Sequence, residues 1–323
     1  MNYKNFLIFL VFFASYFANS QEISWLKINT TNNQVLYKSE SDNLIRKLSR
    51  TTEFSSESID FPVNNNLLSF DIVKNNVSNQ YNLGETQISN YIGITKDNKN
   101  KVFLNIIGDL ITITIHLENS RVHLSNVKNK NNFVYKEIDT NNENNGSLDC
   151  DAQHDHSSHN SSKKKTTIFN NLDPVGKSPN LVKYRIAISP TAEWSNYYID
   201  LYDAQDLSIE NKKAIVLSEL AISVSELNDI SGRDLSILFE LIPENDRLIV
   251  FDTNLDGFTH GDKYAQLGES INKLNNTIGF NSFDIGHVFD SYNYGGVAYV
   301  GSIATTAKAG GVTGGVNSTG FYF

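Results

Sequence analysis

Residues 283–315 read FDIGHVFDSYNYGGVAYVGSIATTAKAGGVTGG, and the parsing of this stretch decides the architecture of the whole second half. Phe283 to Phe289 form a short run of apolar and branched residues, as a strand does. The tight Asn293-Tyr294-Gly295-Gly296 turn follows, and GGVAYVG (Gly295 to Gly301) predicts a further strand. Flanked by glycines and entered through so short a turn, that strand is expected to lie antiparallel at a sheet edge.

The residues before it alternate in the same way. Leu267, Ile271, Leu274 and Ile278 share one face of a helix that should stop at Gly279. Leu217, Leu220, Ala221, Val224 and Leu227 mark a helix over 210–230, with Gly232 as its expected end. VKYRIAI (182–188), LSILFEL (235–241) and RLIVF (247–251) read as strands. Strands alternating with helices predict a mixed, mostly parallel sheet covered by helices.

The first half has a different texture. Leu67–Val73, Val102–Ile107, Leu110–Leu117 and Phe133–Ile138 are strand-like, and ITITIH (111–116) alternates with period two. A twisted antiparallel sheet over residues 21–140 is expected. Between the halves, residues 141–180 contain NNENNGSLDCDAQHDHSSHNSSKKK and have too little apolar surface to pack, so they read as a linker or processing segment. Residues 1–20 read as a signal peptide: Lys4, an apolar run from Phe6 to Ala18, then Ala18-Asn19-Ser20 before Gln21. Cleavage between Ser20 and Gln21 and a secreted product are expected. No Cys follows that site and no later stretch is long and apolar enough to anchor in a membrane.

A net charge of −9 argues against nucleic acid as a partner, and the only basic run is Lys163-Lys164-Lys165. The single cysteine, Cys150, excludes an intramolecular disulfide.

Three groups of side chains are candidates for chemistry. Asp252, Asn254, Asp256 and Gly257 match the start of a calcium-binding loop, but its twelfth position is Lys263, and Asp262 falls one residue early. The simpler reading is a polar turn. Cys150, His154, His156 and His159, interleaved with Asp151 and Asp155, are metal-ligand types in a solvated linker. His287 lies within a strand with no acid at a fixed spacing, so a structural sheet residue is expected there, as at His116 and His123. No G-x-S-x-G elbow is present.

The closing stretch resembles the reprolysin-like (adamalysin-type, M12B-like) zinc metallopeptidases, particularly their secreted bacterial relatives. GVAYVG is similar to the edge strand of the family's catalytic sheet, and KAGGVTGG to the loop preceding its zinc helix. YRIAISPTAEWSNYY, the 210–230 helix and LIVFDTNLDGFTHGD fall in the family's order, and FDIVKNNV and ISNYIGI resemble pieces of its prodomain. The resemblance implies an α/β metzincin (zincin-like) catalytic domain over 181–323, preceded by a β-rich prodomain. It implies a secreted zinc metalloendopeptidase zymogen acting on proteins or peptides, with Gly296, Val297, Ala298, Tyr299, Val300 and Gly301 as the substrate-binding edge.

The family's H-E-x-x-H-x-x-G-x-x-H motif is absent. None of His116, His123, His154, His156, His159, His260 or His287 is followed by Glu or has a His four residues later. The expectation is therefore an N-terminal part of the catalytic domain, cut before the zinc helix and inactive as it stands, with Zn2+ bound only by a longer protein. Many relatives carry a Cys where this chain has Ala304. Zymogens of this kind hold a prodomain thiolate on the zinc, which makes Cys150 a candidate switch, although its flanking residues are not the family's. Two other readings stand beside this one: a secreted non-catalytic binding or adhesion module, and an inhibitory prodomain-like product.

Overall fold

The computed structural model describes residues 23–29, 35–75, 82–83, 86–139, 151–153 and 181–315. The signal-peptide reading, Cys150, His154, His156, His159 and the Phe321-Tyr322-Phe323 end lie outside the described residues.

The first half is one antiparallel sheet with a helix. Along the chain come β1 (Leu26–Asn29), β2 (Val35–Lys38), α1 (Ser41–Leu48), β3 (Glu57–Val63), β4 (Asn66–Asn75), β5 (Asn82–Leu83), β6 (Thr86–Ile94), β7 (Lys101–Ile107), β8 (Leu110–His116), β9 (Ser120–Asn129) and β10 (Asn132–Asp139). Their order in the sheet is β1-β2-β10-β9-β8-β7-β6-β4-β3, with β5 beside β6. Period-two alternation gives the sheet two unlike faces. One face carries Val102, Leu104, Ile111, Ile113, Ile115, Val122 and Leu124, which form a core with Phe61, Phe70, Phe133 and with Leu44 and Leu48 of α1. The opposite face carries Asn90, Asn105, Thr112, Thr114, His123 and Ser125, and these polar residues are buried too. Part of them bond one another, as when Asn90 Nδ2 donates to Asn105 Oδ1 at 2.5 Å and Asn105 Nδ2 to Thr112 Oγ1 at 3.1 Å.

The second half covers that polar face. It comprises β11 (Asp151–Gln153), β12 (Val182–Pro190), α2 (Ala192–Leu201), α3 (Ile209–Leu235), β13 (Ile237–Leu241), α4 (Lys263–Thr277), β14 (Ile285–Asp290), β15 (Gly296–Tyr299) and β16 (Gly311–Gly314). The strand order is β11-β15-β16-β14-β12-β13. β12 pairs parallel with β13 and β14, and β14 parallel with β16, while β15 runs antiparallel to β16. This is the mixed, mostly parallel sheet expected, but over the whole chain antiparallel pairings predominate because of the first sheet.

Helices pack on both faces. Trp194 and Tyr198 of α2 and Ile215, Leu217 and Leu220 of α3 join Ile188 and Phe289 in one core, to which Ile88 and Ile107 of the first sheet are added. On the other face Leu274 of α4 meets Ala187, Phe283 and Ala309, and Leu267 meets Val288, Val297 and Val312. Thr191 caps α2, its Oγ1 accepting from Trp194 N at 3.2 Å.

Three local expectations fail for physical reasons. RLIVF is not a strand: Asn245–Leu248 is a 3-10 turn. The side chain of Asn245 accepts from Ile188 N and donates to Ile188 O, both at 2.8 Å, taking the β12 groups that another strand would have paired. The helix over 210–230 does not stop at Gly232 but runs to Leu235 and ends at Ser236, whose φ is 57°. At Gly232 a Cβ would lie 3.1 Å from Leu238 Cδ2, so the glycine serves close packing of α3 on β13. Third, the glycine-rich stretch after β15 is not only loop, since it contains β16, which separates β15 from β14.

Candidate functional site

β15 is shorter than its sequence suggested. Gly296, Val297, Ala298 and Tyr299 are in the strand, whereas Val300 and Gly301 turn away from it, Gly301 with φ 73°. Val297 is buried against Leu267, Val288 and Val312, which fixes which side of the strand faces the core. One edge of β15 is taken by β16. The other is taken by the chain itself: β11 runs parallel to it, with Asp151 opposite Val297, Ala152 opposite Ala298 and Gln153 opposite Tyr299. The predicted edge is therefore a strand-addition site with an occupant, drawn from the segment read as a linker.

Two polar devices hold this edge in place. The first is Asp290, at the end of β14 and fully buried. Its Oδ2 accepts from Gln266 Nε2 at 2.6 Å, Tyr294 OH at 3.0 Å and Gly261 N at 3.2 Å. Its Oδ1 faces His260 Nδ1 at 2.8 Å and Tyr292 N at 3.3 Å. One carboxylate thus ties the Ser291–Gly295 turn that enters β15 to α4 and to the loop before α4. The beginning of α2 belongs to the same assembly: Glu193 Oε2 lies 3.6 Å from His260 Nδ1. Burial beside Asp290 holds the Tyr294 hydroxyl far above its ordinary pKa, so it is a permanent donor.

The second device is Lys308, buried in the loop between β15 and β16. Its Nζ donates to Phe280 O at 2.5 Å and Phe283 O at 2.6 Å and stands over both rings, 3.8 and 4.5 Å from their centroids. Nearby, His287 Nε2 lies 2.7 Å from Thr313 Oγ1, joining β14 to β16, and burial pushes its pKa down to about 4. A neutral ring bonded to a threonine is a sheet residue, as its sequence context implied.

The calcium reading meets a different geometry. Asp256 accepts from Ala192 N at 2.8 Å and Phe258 N at 3.0 Å, and so caps α2 from a distance. Asp262 caps α4 through Tyr264 N and Ala265 N, and Asp252 accepts from Asn254 in a local turn. Asp252, Asn254, Asp256 and Asp262 are each committed to such local bonds, and among the described residues no group of three His, Cys, Asp or Glu side chains could hold a metal ion. The zinc test gives the same answer. His116 faces Glu226, His123 faces Thr114, His260 faces Asp290 and His287 faces Thr313, so the described histidines serve four separate places. They do not fit a zinc centre.

Sequence reading missed Asp290, Gln266, Tyr294 and Lys308. A carboxylate at the C-terminal end of a predicted strand, beside an aromatic-rich turn, was the available signal. The acids at 252–262 are denser in the sequence and mask that signal.

Residues 217–323 match the family described as reprolysin-like metallopeptidase, M12B. That part of the chain is similar to this family, as the closing stretch implied. Among solved structures, metalloproteinase-II from Bacteroides fragilis is similar at 9% identity and a TM-score of 0.47, over 84% of this chain and 79% of that one. No curated protein matches the chain. Among the described residues no helix is long and apolar enough to cross a membrane.

Proposed function

We propose that the second half is the substrate-edge portion of a secreted, reprolysin-like metalloendopeptidase system of metzincin type, with β15 as its peptide-binding strand. The reading is carried by the parallel addition of β11 to β15. Main-chain groups on that edge recognise any extended peptide, and the exposed face of the strand supplies selectivity. In this reading residues 1–20 direct export, residues 21–140 are a prodomain, 141–180 are the processing segment, and β11 is a self-occupant that must leave before a substrate peptide can bind. Cys150 directly precedes β11 in the sequence, and it is the thiol this reading assigns as the switch.

The described residues supply no zinc ligands, so no hydrolytic step is derived from them. Purified chain 1–323 is expected to leave casein uncut at a chelator-sensitive level, and such cleavage would overturn the assignment of inactivity. Peptide binding is the positive test. Replacing Gln153 by Pro removes the backbone donor of β11 that faces Ala298, since Gly295 O and Tyr299 N turn toward β16, and should free the edge. Extended peptides should then bind the variant more tightly than the parent chain, and equal binding would reject β15 as the recognition strand. A chain that ends its role at binding, as a secreted non-catalytic module, is favoured as the second reading by the dispersal of the described histidines. In a longer protein with the zinc motif, Cys150→Ala should lower latency, and unchanged latency would remove the thiol from the scheme.

A further inference from the structure

The two halves meet across a seam with opposite charge on its two sides. The first sheet contributes the cations Lys101 from β7, Arg121 and Lys128 from β9 and Lys136 from β10, with His116 of β8 and His123 of β9 as neutral rings among them. The second half contributes Asp203 just beyond α2, and Glu219, Glu226 and Asp229 along α3. Lys101 pairs with Asp229, and His116 Nδ1 lies 2.8 Å from Glu226 Oε1. Lys128 and Lys136 approach the Asp203 carboxylate at 3.5 and 3.4 Å. Lys136 Nζ also donates to Leu201 O at 2.5 Å and Asp200 O at 3.2 Å, terminal carbonyls of α2 of which Asp200 O also accepts from Asp203 N at 3.2 Å.

At the centre of the seam is a buried chain of hydrogen bonds. Tyr202 OH donates to Glu219 Oε1 at 2.7 Å and lies 3.1 Å from Thr114 Oγ1, which is 3.2 Å from His123 Nδ1. All four residues are buried. The apolar share from the first sheet is small, chiefly Ile88 and Ile107. An interface this polar resembles one between separable bodies more than the interior of one domain.

We propose that the first sheet is a docked module that stays bound to the α2–α3 face when the connecting segment is cut, and that salt and acid release it. This stands on the seam alone and does not depend on β15 being a peptidase edge. Salt acts through the lysine–carboxylate pairs, which are partly exposed and therefore screened.

The pH response has two opposing parts. Burial lowers the pKa of His116, and lowers that of His123 to about 3, with Arg121 and Lys136 adding repulsion at His123. The docked state therefore favours neutral rings; this contribution is complete above pH 6.5 and is lost as pH falls. Burial raises Glu219 to about 7, with the Glu226 charge reinforcing it and Tyr202 and Arg121 opposing it. Its contribution is complete below pH 4.5 and is lost as pH rises toward 7. Tyr198 and Tyr202 are driven far upward and stay protonated throughout. Between pH 7 and 5 Glu219 opposes the histidines. Below about pH 4.5 Glu219 has nothing more to give, while the histidines favour release, as does Glu226, which burial pushes up but the bond to His116 holds low on balance.

The test uses the full chain with a specific protease site placed within residues 140–150, so that β11 stays with the second half, cut after folding and held on resin through a C-terminal tag. The first piece should remain bound at 50 mM NaCl and pH 7, a condition of the order set by counterion screening, and leave at least about tenfold faster in 1 M NaCl. It should also leave faster at pH 4 than at pH 5. Lys101→Asp should speed release about fivefold, and adding Asp229→Lys should restore it. Glu219→Gln removes the opposing group, so lowering the pH from 7 to 5 should speed release at least about threefold more than it does in the parent. Where Lys101→Asp fails to fold, Lys136→Met tests the same seam from β10. Retention that ignores both salt and pH 4, separation under every condition, or a charge swap that fails to restore binding would each overturn the proposal.

Discussion

Replacing Asp290 by Asn changes one buried atom and should cost about 3 kcal/mol. In the native chain Oδ2 accepts from three donors, Gln266 Nε2, Tyr294 OH and Gly261 N. The amide either turns its NH2 group toward those three donors or toward His260 Nδ1 and Tyr292 N on the other side. Each hydrogen bond to a buried charge contributes about 1.5–3 kcal/mol net, and an unsatisfied buried donor costs about 1–3 kcal/mol. Two donors have other partners, since Tyr294 OH can bond Gln266 Oε1 and Gln266 Nε2 already bonds Thr259 O, which holds the total near the stated value. The assay is urea unfolding followed by tryptophan fluorescence. The chain has two tryptophans, Trp25 at the first core and Trp194 at the second, and Trp194 is 5.7 Å from the ring of Phe289, next to Asp290. In a Trp25→Phe background the signal reports the second half alone. With a slope of about 1–3 kcal/mol per molar urea, the midpoint should fall by about 1 M or more. A midpoint within the error of the parent, equivalent to less than about 0.5 kcal/mol, would refute the view that this carboxylate organises the entrance to β15.

Three further outcomes follow from the same geometry. Gly286→Ala would place a Cβ 2.4 Å from Leu274 Cδ2 and 2.7 Å from Ala309 Cβ, so overpacking should lower stability by about 1–3 kcal/mol in the same urea assay. Lys308→Met keeps the contact with the Phe280 and Phe283 rings but leaves two carbonyls without their donor; amide exchange in residues 299–311 should speed up while that of the first sheet stays unchanged. His287, held neutral by burial with a pKa near 4, contributes stability that is complete above pH 6.5 and is lost as pH falls toward 4. His287→Gln should therefore flatten the acid limb of the stability profile measured by thermal melts between pH 7 and 4.

Much of the second half was legible because its apolar residues repeat with a helical or strand period. The stripe of Leu217, Leu220, Ala221 and Val224 is the buried face of α3, and the Leu267–Leu274 stripe is that of α4. The antiparallel entry of GVAYVG was legible too, from its turn and its glycines. The polar face of the first sheet was not. ITITIH alternates as any half-exposed strand does, and nothing local tells whether Thr112 and Thr114 meet water or a helix. They meet α3 and the end of α2, where their hydroxyls are satisfied by Asn105 and Tyr202.

By itself the sequence determined most of the local segments, their separation by a polar stretch, and the resemblance of residues 217–323 to the reprolysin-like metallopeptidases. Those properties depend on neighbours within a few residues or on short ordered motifs. Tertiary structure alone decided that β16 lies between β14 and β15, that β11 returns to cover β15, and that Asp290 outweighs the more numerous acids of the 252–262 loop. The reason is physical: strand order and the partner of a buried charge are set by contacts between residues tens to hundreds of positions apart. Those contacts win through hydrogen bonds and burial that no local pattern encodes.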